Sequence, residues 1–244
     1  MSRDIERYTE DYLKDEFEEV MVRHRRKKVL EILTQYHPRK ILEIGCGTNS
    51  IFEFYKGFDQ AVVVEPSAVL MGMAKKGLPD CENICWISGF LEEETAKLQK
   101  FDFDFILCSS LLHEVEEPGA LLSSIHQICK PDTVVHLNVP NADSFHLLWA
   151  EAAGLIPSRM VQTATAAKMQ QHTKFNRKIL ASMVKKAGFS IRESGSYYLK
   201  PFNHKKMAAA MKSGLIDENL DDALDVLIRY FPENGAEIYV NCEK

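Results

Sequence analysis

The sequence has no long apolar segment. Its longest apolar runs, such as AVVV at 61–64, have the length of a strand. A membrane-spanning helix needs roughly 20 apolar residues, and the N-terminal segment lacks the apolar region of a signal peptide. We therefore expect a cytoplasmic protein that makes no contact with a membrane.

Metal-binding cysteine patterns and an excess of positive charge are also absent. The six cysteines form no Cys-x-x-Cys pair and have no His-x-x-x-His partner, so we predict reduced, mostly buried thiols and no metal site. The net charge of −5 argues against nucleic acid as a partner, because affinity for a phosphate backbone depends on clustered Lys and Arg. One basic run, at 23–28, follows an acidic segment at 15–20, which is typical of a helix with oppositely charged ends.

Short β-branched runs alternate with helical patterns, which is typical of parallel βαβ units. The runs are KILEIG at 40–45, AVVVEP at 61–66, NICWIS at 83–88, FDFILCSS at 103–110 and TVVHLNVP at 133–140. Further strand patterns occupy 191–201 and 236–242. We predict an α/β, Rossmann-like sheet of seven strands, mostly parallel with an antiparallel last strand, and helices on both faces.

The 244 residues are enough for one α/β domain, which we divide into four parts. Residues 1–36 form a helical cap, 38–140 a cofactor-binding core, 141–174 a helical lid, and 175–244 the rest of the sheet with a helical insertion. The lid carries two helical patterns, around SFHLLWAEAAG and TATAAKMQQ, where a short turn would be ordinary. The cap either covers the sheet or closes over a ligand.

The segment ILEIGCGTNS at 41–50 carries the strongest functional signal. A strand leads into Gly45 and Gly47, which let the backbone approach a ligand at the carboxyl edge of the sheet. Ser50 stands where a dinucleotide fingerprint has its third glycine. Glu43 would repel a pyrophosphate but attract the ammonium or sulfonium of S-adenosylmethionine. Glu65 ends the next strand, where it can accept hydrogen bonds from ribose hydroxyls.

The motifs LEIGCGTNS, VVVEPS and FDFILCSSLLHEVEEP, in this order, closely resemble those of class I S-adenosylmethionine-dependent methyltransferases. The small-molecule branch, with the ubiquinone and menaquinone biosynthesis enzymes, is the most similar. The resemblance covers roughly 38–140 and implies a cofactor site. It assigns Glu43, Gly45, Cys46 and Gly47 to the methionine end, Glu65, Pro66 and Ser67 to the ribose region, Gly89, Phe90 and Leu91 to the adenine, and Cys108, Ser109 and Ser110 to further cofactor contacts.

Two histidines are candidate catalytic residues. His113 follows the fourth strand, where an imidazole either removes a proton from the acceptor or orients the loop beside the methionine. His172 ends the lid and is the second candidate. Candidate substrate contacts are Asn138, Asn141, His146 and Trp149. Arg25 and Arg26 could reach the cofactor carboxylate from the cap.

A small molecule is the expected acceptor. The sequence has neither an Asn-Pro-Pro-Tyr-like motif nor a Pro-Cys pair for base methylation. Residues 172–244 resemble the tails of methyltransferases of bacterial surface-glycan assembly, which suggests a sugar, a sugar nucleotide or a glycan-linked group. Two alternatives remain. A nicotinamide-dependent oxidoreductase shares the arrangement of strand, glycine turn and acidic residue, and a domain with this arrangement could also bind S-adenosylmethionine without catalysis.

Overall fold

A computed structural model describes residues 5–12, 17–79, 81–162 and 171–244. Its sheet has seven strands: β1 Lys40–Ile44, β2 Gln60–Glu65, β3 Ile84–Ser88, β4 Phe105–Ser109, β5 Val134–Pro140, β6 Ser190–Tyr197 and β7 Glu237–Glu243. Their order across the sheet is β3-β2-β1-β4-β5-β7-β6. The first five are parallel, while β7 is antiparallel to both β5 and β6. The predicted mostly parallel sheet is thus confirmed.

Helices connect the strands. They are α1 Ile5–Tyr12, α2 Glu18–Tyr36, α3 Ala68–Lys76, α4 Leu91–Leu98, α5 Pro118–Ile128, α6 Phe145–Ala152, α7 Arg177–Lys186, α8 His204–Lys212 and α9 Glu218–Val226. Four of them begin at a side-chain N-cap that accepts a backbone hydrogen bond, namely Ser67, Asn176, Asn203 and Asp217. None of the helices in the described ranges is both long and apolar enough to cross a membrane.

The central strands are buried on both faces, and their side chains alternate between two apolar cores. On β1, Leu42 and Ile44 belong to one core and Ile41 to the other. On β4, Ile106 and Phe105 divide in the same way. Because parallel strands run in the same direction, the carboxyl ends of β1 to β5 meet at one edge of the sheet. The predicted ligand-binding residues follow these ends.

Helix α2 packs onto this structure. Val29, Ile32 and Leu33 of α2 are buried in the core that contains Ile41. Of the two helical patterns in the lid, the first forms α6. The second, at 163–171, lies outside the described residues except for its last residue.

A buried polar network joins α2 to α9. Both ring nitrogens of His24 face carboxylates, Nε2 2.8 Å from Asp221 and Nδ1 2.9 Å from Asp225. Tyr198 donates a hydrogen bond to Asp221 and stacks on the imidazole, with ring centroids 3.7 Å apart. Burial by itself lowers the pKa of His24, but hydrogen bonds and charges from the two aspartates outweigh it and raise that pKa.

Candidate functional site

A cavity of about 1380 Å³ opens at the carboxyl edge of the sheet. The loops after β1, β2, β3, β4 and β5 line it, together with α2, α6 and the segment that leads into α8. Large clefts in open α/β sheets occur at this edge, because the loops there diverge to helices on opposite faces. Nearly all the predicted cofactor residues line this cavity; the exception is described below.

The turn after β1 depends on two glycines in the left-handed region. Gly45 has φ +75° and Gly47 has φ +55°, which L side chains rarely adopt. The amide of Gly45 still donates to the carbonyl of Val64, at 2.9 Å, so the turn begins from a regular strand pair. Bare backbone therefore faces the cavity at this point, as a closely approaching ligand requires.

Glu43 lies under this turn and is 4% exposed. Ser50 Oγ donates to one carboxylate oxygen and the amide of Ile51 to the other, at 2.9 Å. Burial raises the pKa of Glu43 to about 7; these hydrogen bonds oppose the rise, and the nearby charge of Glu65 adds to it. A cationic ligand group beside it would favour the ionised form. The sequence revealed Ser50 only as a missing glycine, whereas in the fold it orients Glu43.

Glu65 closes the other side of the turn. Its carboxylate accepts hydrogen bonds from the amide of Cys46, at 3.1 Å, and from the amide of Ser67, at 2.8 Å. Ser67 in turn caps α3 and shares a hydrogen bond with Thr9 of α1, at 3.0 Å. The N-terminal helix therefore reaches the β2 end of the cavity.

The residues after β3 and β4 complete the predicted cofactor side, with one correction. Gly89, Phe90, Leu91, Ser109 and Ser110 line the cavity, as does Pro66. Cys108 does not, because alternation along β4 turns its side chain into the core, where it is fully buried.

Asn138 is also corrected by the structure. It is fully buried on β5 and does not line the cavity. Its side-chain oxygen accepts from the amide of Ser110, at 2.8 Å, and its nitrogen donates to Ser109 Oγ, at 2.9 Å, and lies 3.1 Å from His136 Nε2. Asn138 thus holds the loop after β4, in which Ser110 has a φ of +53°.

The structure separates the two candidate histidines. His113 is 3% exposed and lines the cavity, with Nε2 3.6 Å from the carboxylate of Glu114. The side chain of His172 is exposed and does not line the cavity, although its neighbours Gln171 and Lys174 do. His172 and Thr173 donate backbone hydrogen bonds to the carbonyl of His113.

The remaining substrate candidates line the other half of the cavity. The amide of Asn141 is occupied by the fold: its nitrogen donates to the carbonyls of Glu233 and Gly235, each at 2.9 Å, and its oxygen accepts from the amide of Asp143. His146 is half-buried, while Trp149 keeps 50% of its surface exposed. His146 and Trp149 are therefore better placed than Asn141 to contact an acceptor.

Arg25 and Arg26 line the cavity from α2, but the prediction for Arg25 needs correction. Its guanidinium is paired with Glu237, at 2.6 Å, and with Glu18, at 3.2 Å. Two carboxylates already neutralise this charge, so it is not available to a cofactor carboxylate. Arg26 lies over the ring of Phe54, 3.8 Å from its centroid.

Sequence reasoning missed two lysines at the cavity. Lys174 is half-buried and Lys200 is 4% exposed, and both line the wall near His146. A lysine in a linker between helical patterns gives no signal that its side chain turns inward.

Residues 8–194 match the methyltransferase domain family. The chain belongs to this family. The resemblance identified from the three motifs is therefore confirmed. The match begins within α1 and ends within β6.

Individual relatives agree with this assignment. The domain is 27% identical to malonyl-(acyl-carrier protein) O-methyltransferase of Halalkalibacterium halodurans over 115 residues. The aligned residues cover 46% of this chain and 42% of the relative. It is 26% identical over 111 residues to ubiquinone biosynthesis O-methyltransferase of Neisseria meningitidis serogroup A, with coverage of 42% and 44%. The chain thus spans less than half the length of these curated relatives.

A solved structure extends the likeness to the whole fold. The S-adenosylmethionine-dependent methyltransferase of Mesorhizobium loti superposes with a TM-score of 0.55 and 15% identity, over 85% of this chain and 91% of the other. Since so few residues are identical, this likeness establishes the fold of the methyltransferase domain and leaves its acceptor open.

Proposed function

We propose that this methyltransferase domain transfers a methyl group from S-adenosylmethionine to a small-molecule acceptor. The observation that carries the proposal is the turn from Gly45 to Gly47, which exposes bare backbone to a large cavity between two buried carboxylates, Glu43 and Glu65. A cation and a ribose are suitable ligands for this arrangement. A pyrophosphate is not, because two acids would repel it.

The residues fit the cofactor along its length. Glu43, Gly45, Cys46 and Gly47 would hold the methionine end, with Ser109 and Ser110 opposite. Glu65 would accept from the ribose hydroxyls, next to Pro66 and Ser67. Gly89, Phe90 and Leu91 would lie against the adenine. The lid at 141–174 and the helical cap at 1–36 would close the site, and the Thr9–Ser67 hydrogen bond supports the cap.

When bound, the cofactor supplies a methyl group made electrophilic by the adjacent sulfonium. An acceptor held in line forms a bond to this carbon as the carbon–sulfur bond breaks and its electron pair stays on sulfur. His113 lines the cavity beside the loop after β4 and would take the proton of a hydroxyl acceptor. His146 and Trp149 would contact the acceptor. The exposed position of His172 makes it the weaker candidate for the base.

For the acceptor, we propose a sugar, a sugar nucleotide or a glycan-linked group, which accords with the tail resemblance over 172–244. The half-exposed Trp149 supports it, because an indole face at a cavity wall suits the apolar face of a sugar ring. Oxygen is the reacting atom that we propose, because a sugar offers hydroxyl groups and the two relatives described above are named O-methyltransferases.

Ligand binding tests the proposal first. S-adenosylhomocysteine should raise the melting temperature, because a ligand bound only by the folded state stabilises that state, while NAD should not. In Gly45→Val this shift should disappear, since a β-branched residue at φ +75° both strains the turn and fills the cofactor's path. Gly119→Ala is the matched control, because a Cβ there meets no atom within 4 Å.

Methyl transfer to a panel of sugars, sugar nucleotides and small aromatic acceptors then separates the remaining alternatives. Stabilisation by NAD equal to that by S-adenosylhomocysteine would favour the oxidoreductase. Binding of S-adenosylhomocysteine without transfer to any acceptor class would favour a non-catalytic domain.

A further inference from the structure

The cavity wall opposite the glycine turn is basic. Lys174 reaches this wall from the segment before α7 and is half-buried. Burial lowers the pKa of its ammonium, and no nearby carboxylate offsets this effect. Within the described ranges no acid forms an ion pair with Lys174. Its charge is therefore partly removed from water, and none of the residues that the structure describes compensates it.

The pKa of His146 is also affected by the basic side chains of this wall. Burial holds its pKa well below the ordinary value, and the side chains of Lys200, His204 and Lys174 lower it further. Four nitrogen-bearing side chains from three separate segments thus converge around one part of the cavity.

Two of the acids that line the cavity, Glu237 and Glu43, have partners within the protein. Glu237 pairs with Arg25 and accepts a hydrogen bond from Tyr197. Glu43 is bound by Ser50 and the amide of Ile51. These two carboxylates therefore serve partners other than Lys174.

The position of Lys174 assigns its charge to the acceptor rather than to the cofactor. The next residue, Phe175, pairs through its backbone with Asn141, just beyond the end of β5. In the sheet β5 is separated from β1 by β4, so two strand spacings, about 10 Å, lie between Asn141 and the glycine turn. Trp149, from the lid, lines the same half of the cavity.

We infer that the acceptor carries an anionic group, a phosphate or a carboxylate, which binds at Lys174 beside His146. The inference rests on the proposed function, since it describes the acceptor of that site. An anion supplies the counter-charge that Lys174 lacks, and a charge-assisted hydrogen bond is among the stronger polar contacts in a partly dry site. The apolar part of such an acceptor would lie against Trp149.

Calorimetry on the protein saturated with S-adenosylhomocysteine tests this with matched probes. Uridine diphosphate and uridine differ by a diphosphate, and benzoate and benzamide differ by a carboxylate charge. We expect at least one anion to bind about tenfold more tightly than its neutral counterpart. Lys174→Met should remove this preference, and Lys174→Arg should retain it. The control is Lys178→Met, on an exposed residue outside the cavity, which should also retain it.

The outcomes are distinguishable. Preference for uridine diphosphate identifies a phosphate acceptor, and preference for benzoate a carboxylate acceptor. The inference is overturned if neither anion is preferred, or if the preference persists in Lys174→Met. It is also overturned if Lys174→Met weakens binding of S-adenosylhomocysteine itself, because Lys174 would then hold the cofactor carboxylate. If S-adenosylhomocysteine does not bind the unmodified protein, the proposed function fails instead.

Discussion

The backbone amide of His172 donates a hydrogen bond to the backbone carbonyl of His113, with nitrogen and oxygen 2.9 Å apart. The end of the predicted lid is therefore fastened to the loop after β4. The two side chains nevertheless diverge: His113 is buried in the cavity wall and His172 faces outward. The bond uses main-chain atoms only, so either side chain can be replaced while this contact is kept.

This geometry predicts different effects for the two histidines. With a hydroxyl acceptor, His113→Ala should lower kcat at least about tenfold, roughly 1.4 kcal/mol in the barrier, because the proton would lose its acceptor. Affinity for S-adenosylhomocysteine should change only a few-fold. His172→Ala should have a much smaller effect on kcat. Steady-state kinetics and calorimetry on both variants measure this. A fall in cofactor affinity alone would make His113 a cofactor contact.

Cofactor affinity should depend on pH through Glu43. Its pKa is about 7 without ligand, and a cationic group beside it stabilises the ionised form. Binding should therefore be tightest above pH 7 and weaken by up to about tenfold per pH unit below it. Calorimetric titration with S-adenosylhomocysteine at about pH 6 and pH 8 measures the slope. Glu43→Gln should bind more weakly at pH 8 and lose the slope, and an unchanged slope would assign the titration to another group.

The network around His24 predicts that the stability of the protein depends on pH. The pKa of His24 is raised above its ordinary 6.5, so its stabilising contribution is complete below 6.5 and is lost as pH rises through the folded-state pKa. The pKa values of Asp221 and Asp225 are lowered, so their contribution is lost in acid. The free energy of unfolding should therefore fall as the pH rises above about 6.5.

Urea unfolding of the unmodified protein and His24→Gln measures this effect. The variant should lose about 3 kcal/mol near pH 6, as expected when one member of a buried ion pair is removed, and its stability should vary less above that pH. Arg23 and Lys27 also contact these aspartates, and both are unchanged in His24→Gln, so they do not account for a difference between the two proteins. Equal pH dependence in both proteins would contradict the assignment.

Hydrogen exchange tests the proposed lid. Arg159 bridges Asp143, at 2.6 Å, and Glu151, at 2.5 Å, so α6 and the chain after it are linked as one unit over the cavity. Amides of 145–162 should exchange about tenfold more slowly with S-adenosylhomocysteine and an acceptor bound, because closure excludes water. Helix α7, which packs on β6 and β7, is the internal control. Equal exchange with and without ligands would make the segment structural.

Much of the cofactor side follows from local sequence. Glycine is favoured where the chain leaves a strand with positive φ, as it does at Gly45 and Gly47. The apolar runs at 40–45 and 61–66 predict the strands that bring Glu43 and Glu65 to one edge. These signals depend on neighbours a few residues away, so a single sequence carries them. The N-terminal helices are recognisable for the same reason.

The tertiary structure alone decided which polar groups remain available to a ligand. The charge of Arg25 is neutralised by Glu237, 212 positions away along the chain. The side-chain amide of Asn138 is already hydrogen-bonded to Ser109 and Ser110. Lys174 turns toward the cavity, whereas His172, two residues earlier, turns outward. A local pattern determines how the backbone turns, but the availability of a charge depends on which distant segments pack against it.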